Sequence, residues 1–161
     1  MGCRPDAPRT GPSTRYFSLE NYFREQIAVL EARGQAVEKT VKKDDRQEKR
    51  TIADMDWTTE LEAFIASDIN KPAWRDSYSV DSGAHFLNYR ALEDGLRVRS
   101  IHIGRDQHRN IRSIVIERAE NNYLYSSRET LRYYPDSLYS IKRHQHVRVL
   151  GPTRFQVCGK L

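Results

Sequence analysis

Apolar and polar residues alternate with a period of two over much of the stretch from Leu96 to Leu161, as in Tyr139-Ile141-Val147-Val149 and again in Phe155-Val157-Leu161. That period predicts strands with one face on a core and the other in water. Pro135-Asp136 and Gly151-Pro152 punctuate the stretch as turns. Strands are predicted from Trp74 onward, over His85–Tyr89, Leu96–Ile103, Ile111–Arg118, Tyr123–Ser126, Thr130–Tyr134, Ser137–Val149 and Thr153–Lys160. They form a meander of about seven strands. Leu96 and Val98 share one parity and Ile101 and Ile103 the other, which predicts a β-bulge near Ser100.

Two upstream segments carry a helical period instead. Leu19, Phe23, Ile27 and Leu30 fall on one face of a helix capped by Ser18 and stopped at Arg33 by Gly34. Trp57, Leu61, Phe64 and Ile65 form a second stripe, in a helix expected from Asp56 to about Ser67. Between them, Val37, Lys39 and Val41 alternate before the polar run 42–50, a β-hairpin turning near Asp44-Asp45.

The order helix, hairpin, helix, meander predicts an α+β domain. Two amphipathic helices pack on one strongly curved antiparallel β-meander, half-barrel-like, with an N-terminal β-hairpin. The expected core is Leu19, Phe23, Ile27, Leu61, Phe64, Ile65, Ile114, Ile116, Ile141, Val147, Val149 and Phe155. Large inward residues predict a filled interior with no acyl-sized cavity. Residues 1–15 hold three prolines and two glycines and almost nothing apolar, so they read as a flexible tether before a single domain over 16–161.

Charge changes the picture of the surface. The chain has 161 residues and a net charge of +5. From residue 96 onward it carries 13 Lys and Arg against 5 Asp and Glu, whereas residues 1–95 carry 14 against 17. The meander is therefore basic. Arg97, Arg99, Arg112, Lys142 and Arg148 are the candidate surface-binding residues, read as one outward strip. Replacing those five with Ser is expected to abolish binding and leave the melting temperature nearly unchanged.

Candidate chemistry is sparse. No phosphate loop, dinucleotide fingerprint or nucleophile elbow occurs, so no catalytic residues and no cofactor are assigned. His144 and His146 share a strand face, with His102 as a third imidazole, but their parity points them to solvent and no metal is assigned. Asp56 reads as a helix cap, and Asp54, Glu60 and Glu62 as solvated residues. Tyr123, Tyr125, Tyr133, Tyr134 and Tyr139 fall beside Arg128, Arg132, Lys142 and Arg143, the mixture on which single-stranded nucleic acid stacks. Cys158, in the last strand, reads as a small space-filler. Met1-Gly2-Cys3 fails the myristoylation pattern at Asp6. Its Gly-Cys pair and following polar tether resemble the junction between a bacterial lipoprotein signal and the mature chain.

The segments Asp68-Ile69-Asn70-Lys71-Pro72-Ala73-Trp74-Arg75-Asp76-Ser77-Tyr78, Leu124-Tyr125-Ser126-Ser127 and Tyr133-Tyr134-Pro135-Asp136-Ser137-Leu138-Tyr139 resemble an uncharacterised family of Bacteroidetes-type envelope lipoproteins. The resemblance covers 17–161. It implies a lipid on Cys3, life in the cell envelope on the periplasmic or outer-membrane face, and no catalytic residues. The expected protein is non-enzymatic and membrane-tethered, with an envelope protein, lipid or glycan as partner. The alternative is a cytosolic nucleic-acid-binding module using the basic, Tyr-rich face.

Overall fold

The computed structural model describes residues 15–161. Cys3 and almost all of the expected tether lie outside the described residues.

Helix α1 spans Leu19–Arg33 and buries Leu19, Phe23, Ile27 and Leu30. Its ends follow from local chemistry. The Ser18 hydroxyl accepts from Asn21 N–H, and Gly34, at φ 58°, turns its own N–H back to the Leu30 carbonyl. Asp68 adds a distant cap: it accepts from the Ser18 hydroxyl at 3.0 Å and from Glu20 N–H at 2.8 Å. A carboxylate there meets the positive end of the helix dipole.

The second helical stripe does not form one helix. It divides into α2 (Trp57–Glu60) and α3 (Glu62–Ile65), broken at Leu61 with φ −99° and ψ 7°. Asp56 caps the first turn through Thr59. The break lets two aromatic residues reach different targets. The Trp57 ring stands edge-on to Tyr139 at 6.1 Å, and Phe64 lies 4.8 Å from Phe23 and 6.0 Å from Tyr133.

Nine antiparallel strands form one sheet: β1 Val37–Lys43, β2 Arg46–Ile52, β3 Tyr78–Ser82, β4 Phe86–Ala91, β5 Val98–Arg105, β6 Ile111–Asn121, β7 Tyr125–Tyr134, β8 Leu138–Val147 and β9 Gly151–Lys160. Their spatial order is β2-β1-β9-β8-β7-β6-β5-β4-β3. The last seven strands are the meander. The β1–β2 hairpin, turning at Asp44-Asp45, joins it through β1–β9 pairing, with Val41 opposite Val157. The sheet is open, with β2 and β3 at its edges. The bulge expected near Ser100 is present: pairing with β6 slips between Val98 and Ser100.

Several expectations need correction. Trp74 lies in a 3-10 turn over Pro72–Trp74, not a strand. The segments read as two strands, 123–126 and 130–134, give one strand, β7, over Tyr125–Tyr134, with Tyr123 and Leu124 in the turn before it. Val149 is not core: alternation stops at Val147, which pairs with Gly151, and Val149 sits in the intervening turn. Ile65, Ile141 and Phe155 are partly buried against the core, and Val147 is partly buried.

Alternation and register define two faces. The inner face carries Ile101, Ile103, Ile114, Ile116, Leu131, Tyr133 and Tyr139, all essentially inaccessible to water. Tyr139 also shows how tightly that side is packed. Its ring lies over Gly159, its cross-strand partner on β9, where any Cβ would overlap the ring. Its hydroxyl donates to Glu60, which also accepts from Lys39 Nζ at 2.7 Å. Gly159→Ala is expected to displace the ring and cost about 1–3 kcal/mol. Urea denaturation measures this. An unchanged midpoint would show that Tyr139 is free to move.

Candidate functional site: a basic outer face beside a charged cleft

The outer face follows from the same register. The pairs Lys42↔Gln156 and Gln156↔Lys142 form one row across β1, β9 and β8, and Arg154↔His144↔Arg128 form the next across β9, β8 and β7. Lys42, Lys142, Arg128, His144 and Arg154 are exposed. None of the four Lys and Arg side chains has a carboxylate within ion-pair distance among the described residues. Arg132 extends the group along β7. Two shallow clefts lie between these side chains. One of about 220 Å³ is bounded by Lys42, Lys142, His144, Arg154 and Asp44, and one of about 300 Å³ by Arg128, His144, His146 and Arg154. Strands lie about 4.8 Å apart, so side chains two strands apart present cations roughly 10 Å apart.

The five residues singled out from sequence do not form one strip. Only Lys142 belongs to this outward group. Arg97, just before β5, lies 3.7 Å from Glu120 and 3.9 Å from Glu129. Arg99, in the bulge, lies 3.7 Å from Asp94, and Arg112 lies 3.3 Å from Asp106. Arg148 sits in the β8–β9 turn, its guanidinium 4.7 Å from the centre of the Tyr123 ring. Three of the five are thus partly neutralised by neighbouring carboxylates. Arg128 and Arg154 carry the stronger claim, and their parity on β7 and β9 was the available signal.

Arg97 and Arg99 instead line a cleft of about 610 Å³ with Arg128, Asp94, Glu117 and Glu120. Beside it, on the inner face, a charge cluster is buried. Arg118, Glu129 and Arg143 stand opposite one another on β6, β7 and β8. Glu129 Oε2 lies 3.0 Å from Arg118 Nε, and Oε1 lies 2.5 Å from Arg143 Nε. Arg118 also donates through Nη1 to the Ala63 carbonyl at 2.9 Å. Its Nε–H is not aimed at the carboxylate and has no hydrogen-bond partner among the described residues. Burial pulls the Arg118 pKa below its ordinary value, opposed by the charge of Glu129. An arginine nevertheless keeps its proton.

Two of the five tyrosines are separated from the outward basic groups, whereas Tyr123 is exposed against Arg148. Tyr133 and Tyr139 are fully buried on the inner face, and Arg143 shares that face beside Glu129. Arg128, Arg132 and Lys142 point the other way. The histidines are separated too: His144 and His146 are exposed on β8, while His102 contacts Asn88 three strands away. Among the described residues no group of three His, Cys, Asp or Glu could hold a metal ion. Cys158 is half-buried on the outer side between Thr40 and Ser140.

Comparison with known proteins finds no family model, no curated protein and no solved structure that matches this chain.

Proposed function

We propose that this chain is a non-enzymatic binding module of the bacterial cell envelope, tethered to the membrane by a lipid on Cys3 and presenting the outer face of its sheet to an anionic partner. One observation carries the binding part: Lys42, Arg128, Lys142 and Arg154 share one face with no acidic partner among the described residues. Fixed, unpaired cations on a rigid sheet attract polyanions at long range. An acidic glycan fits best, because its charges repeat along a polymer as these cations repeat across strands. The sheet is read as a half-barrel wrapped on the helices. Rings from α1, α2 and α3 meeting Tyr133 and Tyr139 support that geometry.

The nucleic-acid alternative shares the electrostatics but loses two of its five tyrosines for stacking, since Tyr133 and Tyr139 are buried on the opposite face. The test is binding of heparin, as a model acidic glycan, and of a thymidine oligonucleotide. The expected result is heparin binding that weakens steeply with salt and is lost in a Lys42→Ser/Arg128→Ser/Lys142→Ser/Arg154→Ser variant of nearly unchanged melting temperature. Arg112→Ser, removing a cation beside Asp106, is expected to have little effect. Heparin binding absent at about 50 mM salt, or indifferent to the fourfold change, would remove the reading. Tighter binding to the oligonucleotide would favour the alternative. Fatty-acid labelling of the wild-type chain and not of Cys3→Ser tests the tether.

A further inference from the structure

Two neighbouring turns leave large apolar side chains in water. Tyr123 and Leu124, in the β6–β7 turn, are 82% and 67% exposed, and Val149 and Leu150, in the β8–β9 turn, are 91% and 83% exposed. Single exposed apolar residues need no explanation, but four on adjoining turns do.

The two turns are held together. Arg148 N–H donates to the Leu124 carbonyl at 3.1 Å, and the Arg148 guanidinium covers one face of the Tyr123 ring. Asn122 Oδ1 accepts from both Leu124 N–H and Tyr125 N–H at 2.9 Å. The apolar groups are thus presented on fixed backbone, so little ordering remains to be done when they bind. Behind them, on the adjoining strands, stand Arg128, Arg154, His144 and His146. The nearest acid of β6, Glu120, already accepts from Tyr125 and lies near Arg97.

An apolar point backed by cations matches a surface with anionic groups outside and hydrocarbon beneath. We infer that this end of the sheet is a membrane-insertion tip. Tyr123, Leu124, Val149 and Leu150 enter the boundary between headgroups and acyl chains of an anionic bilayer. Arg148, Arg128 and Arg154 lie against the headgroups. Topology adds a second observation. Register across the sheet puts the start of β3 at this same end, and Arg15 is ion-paired to Asp76 just before it. The segment carrying Cys3 therefore joins the fold at the end proposed to meet the membrane. The inference goes beyond the glycan-binding reading and needs no lipid on Cys3, so its test uses a chain without one.

Full-length chain carrying Cys3→Ser is sedimented with vesicles of phosphatidylglycerol and phosphatidylcholine, and with pure phosphatidylcholine. Preferential binding to the anionic vesicles is expected. It should fall by more than about tenfold in Tyr123→Ser/Leu124→Ser/Val149→Ser/Leu150→Ser, because lost apolar burial lowers interfacial partitioning. Arg148→Ser should weaken binding about fivefold on anionic vesicles only. In an otherwise unchanged Cys3→Ser chain, Tyr123→Trp should be quenched by brominated lipid, a readout independent of how the fourfold variant folds. Binding that survives the fourfold change, or a Trp at 123 that escapes quenching, overturns the inference. So does a self-association of the chain, seen without vesicles, that the fourfold change abolishes.

Discussion

Glu129→Ala is expected to lower stability by about 3–5 kcal/mol, although the residue lies outside the apolar core. The Glu129 and Arg118 side chains are only 6% and 5% exposed. Removing the carboxylate leaves the Arg118 guanidinium buried with its Coulombic partner gone and with Arg143 and Arg97 still near. Desolvation is then offset by neutral acceptors such as the Ala63 carbonyl and no longer by an opposite charge, and the loss is a large share of a typical domain's stability. Arg143→Ala should cost less than about 1 kcal/mol, because that side chain is 43% exposed and can be replaced by water. The pair Arg118→Met/Glu129→Leu should recover most of the loss, since apolar groups of similar volume tolerate the site. Denaturant midpoints at constant m-value measure all three. A loss below about 1 kcal/mol in Glu129→Ala would mean that water reaches Arg118 through the adjoining cleft.

Alkaline pH is expected to unfold this protein between about pH 10 and 12. Tyr78, Tyr133 and Tyr139 are buried, and each donates its hydroxyl proton to an acceptor: the Val98 carbonyl, Gln26 Oε1 and Glu60 Oε1. Burial pushes the Tyr78 pKa up to about 12 from its ordinary value of 10.0. Burial raises Tyr133 further, and burial followed by the hydrogen bond to Glu60 raises Tyr139. Folded-state values above the unfolded ones mean that the folded state holds protons the unfolded state has released. The stability linked to these protons is full below pH 10 and is lost above it. Each group takes away up to about 1.4 kcal/mol per pH unit, so three together approach about 4. Tyrosinate absorbance and circular dichroism should therefore change together. Tyr139→Phe should flatten the alkaline slope. Tyrosinate formed by the buried residues while the dichroism holds would contradict this.

The histories of individual elements show why some features are legible in a sequence and others are not. Helix α1 was readable to the residue, because Ser18, the stripe from Leu19 to Leu30 and Gly34 act within a few positions of one another. The Asp44-Asp45 turn, the bulge near Ser100 and the parity of most strands were equally local. The break at Leu61 was not. It separates Trp57 from Phe64 so that each ring meets a different tyrosine, and those tyrosines lie about 70 to 80 residues away. Val149 misled because alternation says nothing about where a strand ends.

The basic site divided in the same way. Composition alone shows that the meander is cationic, and alternation assigns each side chain to one face or the other. Which cations remain free depends on what lies across strands. Arg97 and Arg112 find carboxylates at Glu120 and Asp106, whereas Arg128, Lys142 and Arg154 find none among the described residues. The same holds for Arg118 and Glu129, which are buried because β6 and β7 set them opposite each other beneath the Ala63 carbonyl. The period of a strand is a property of its own backbone. Register, charge pairing and the meeting of two distant turns at Tyr123 and Arg148 depend on contacts between residues far apart in the chain, and these exist only once the strands have paired into the sheet.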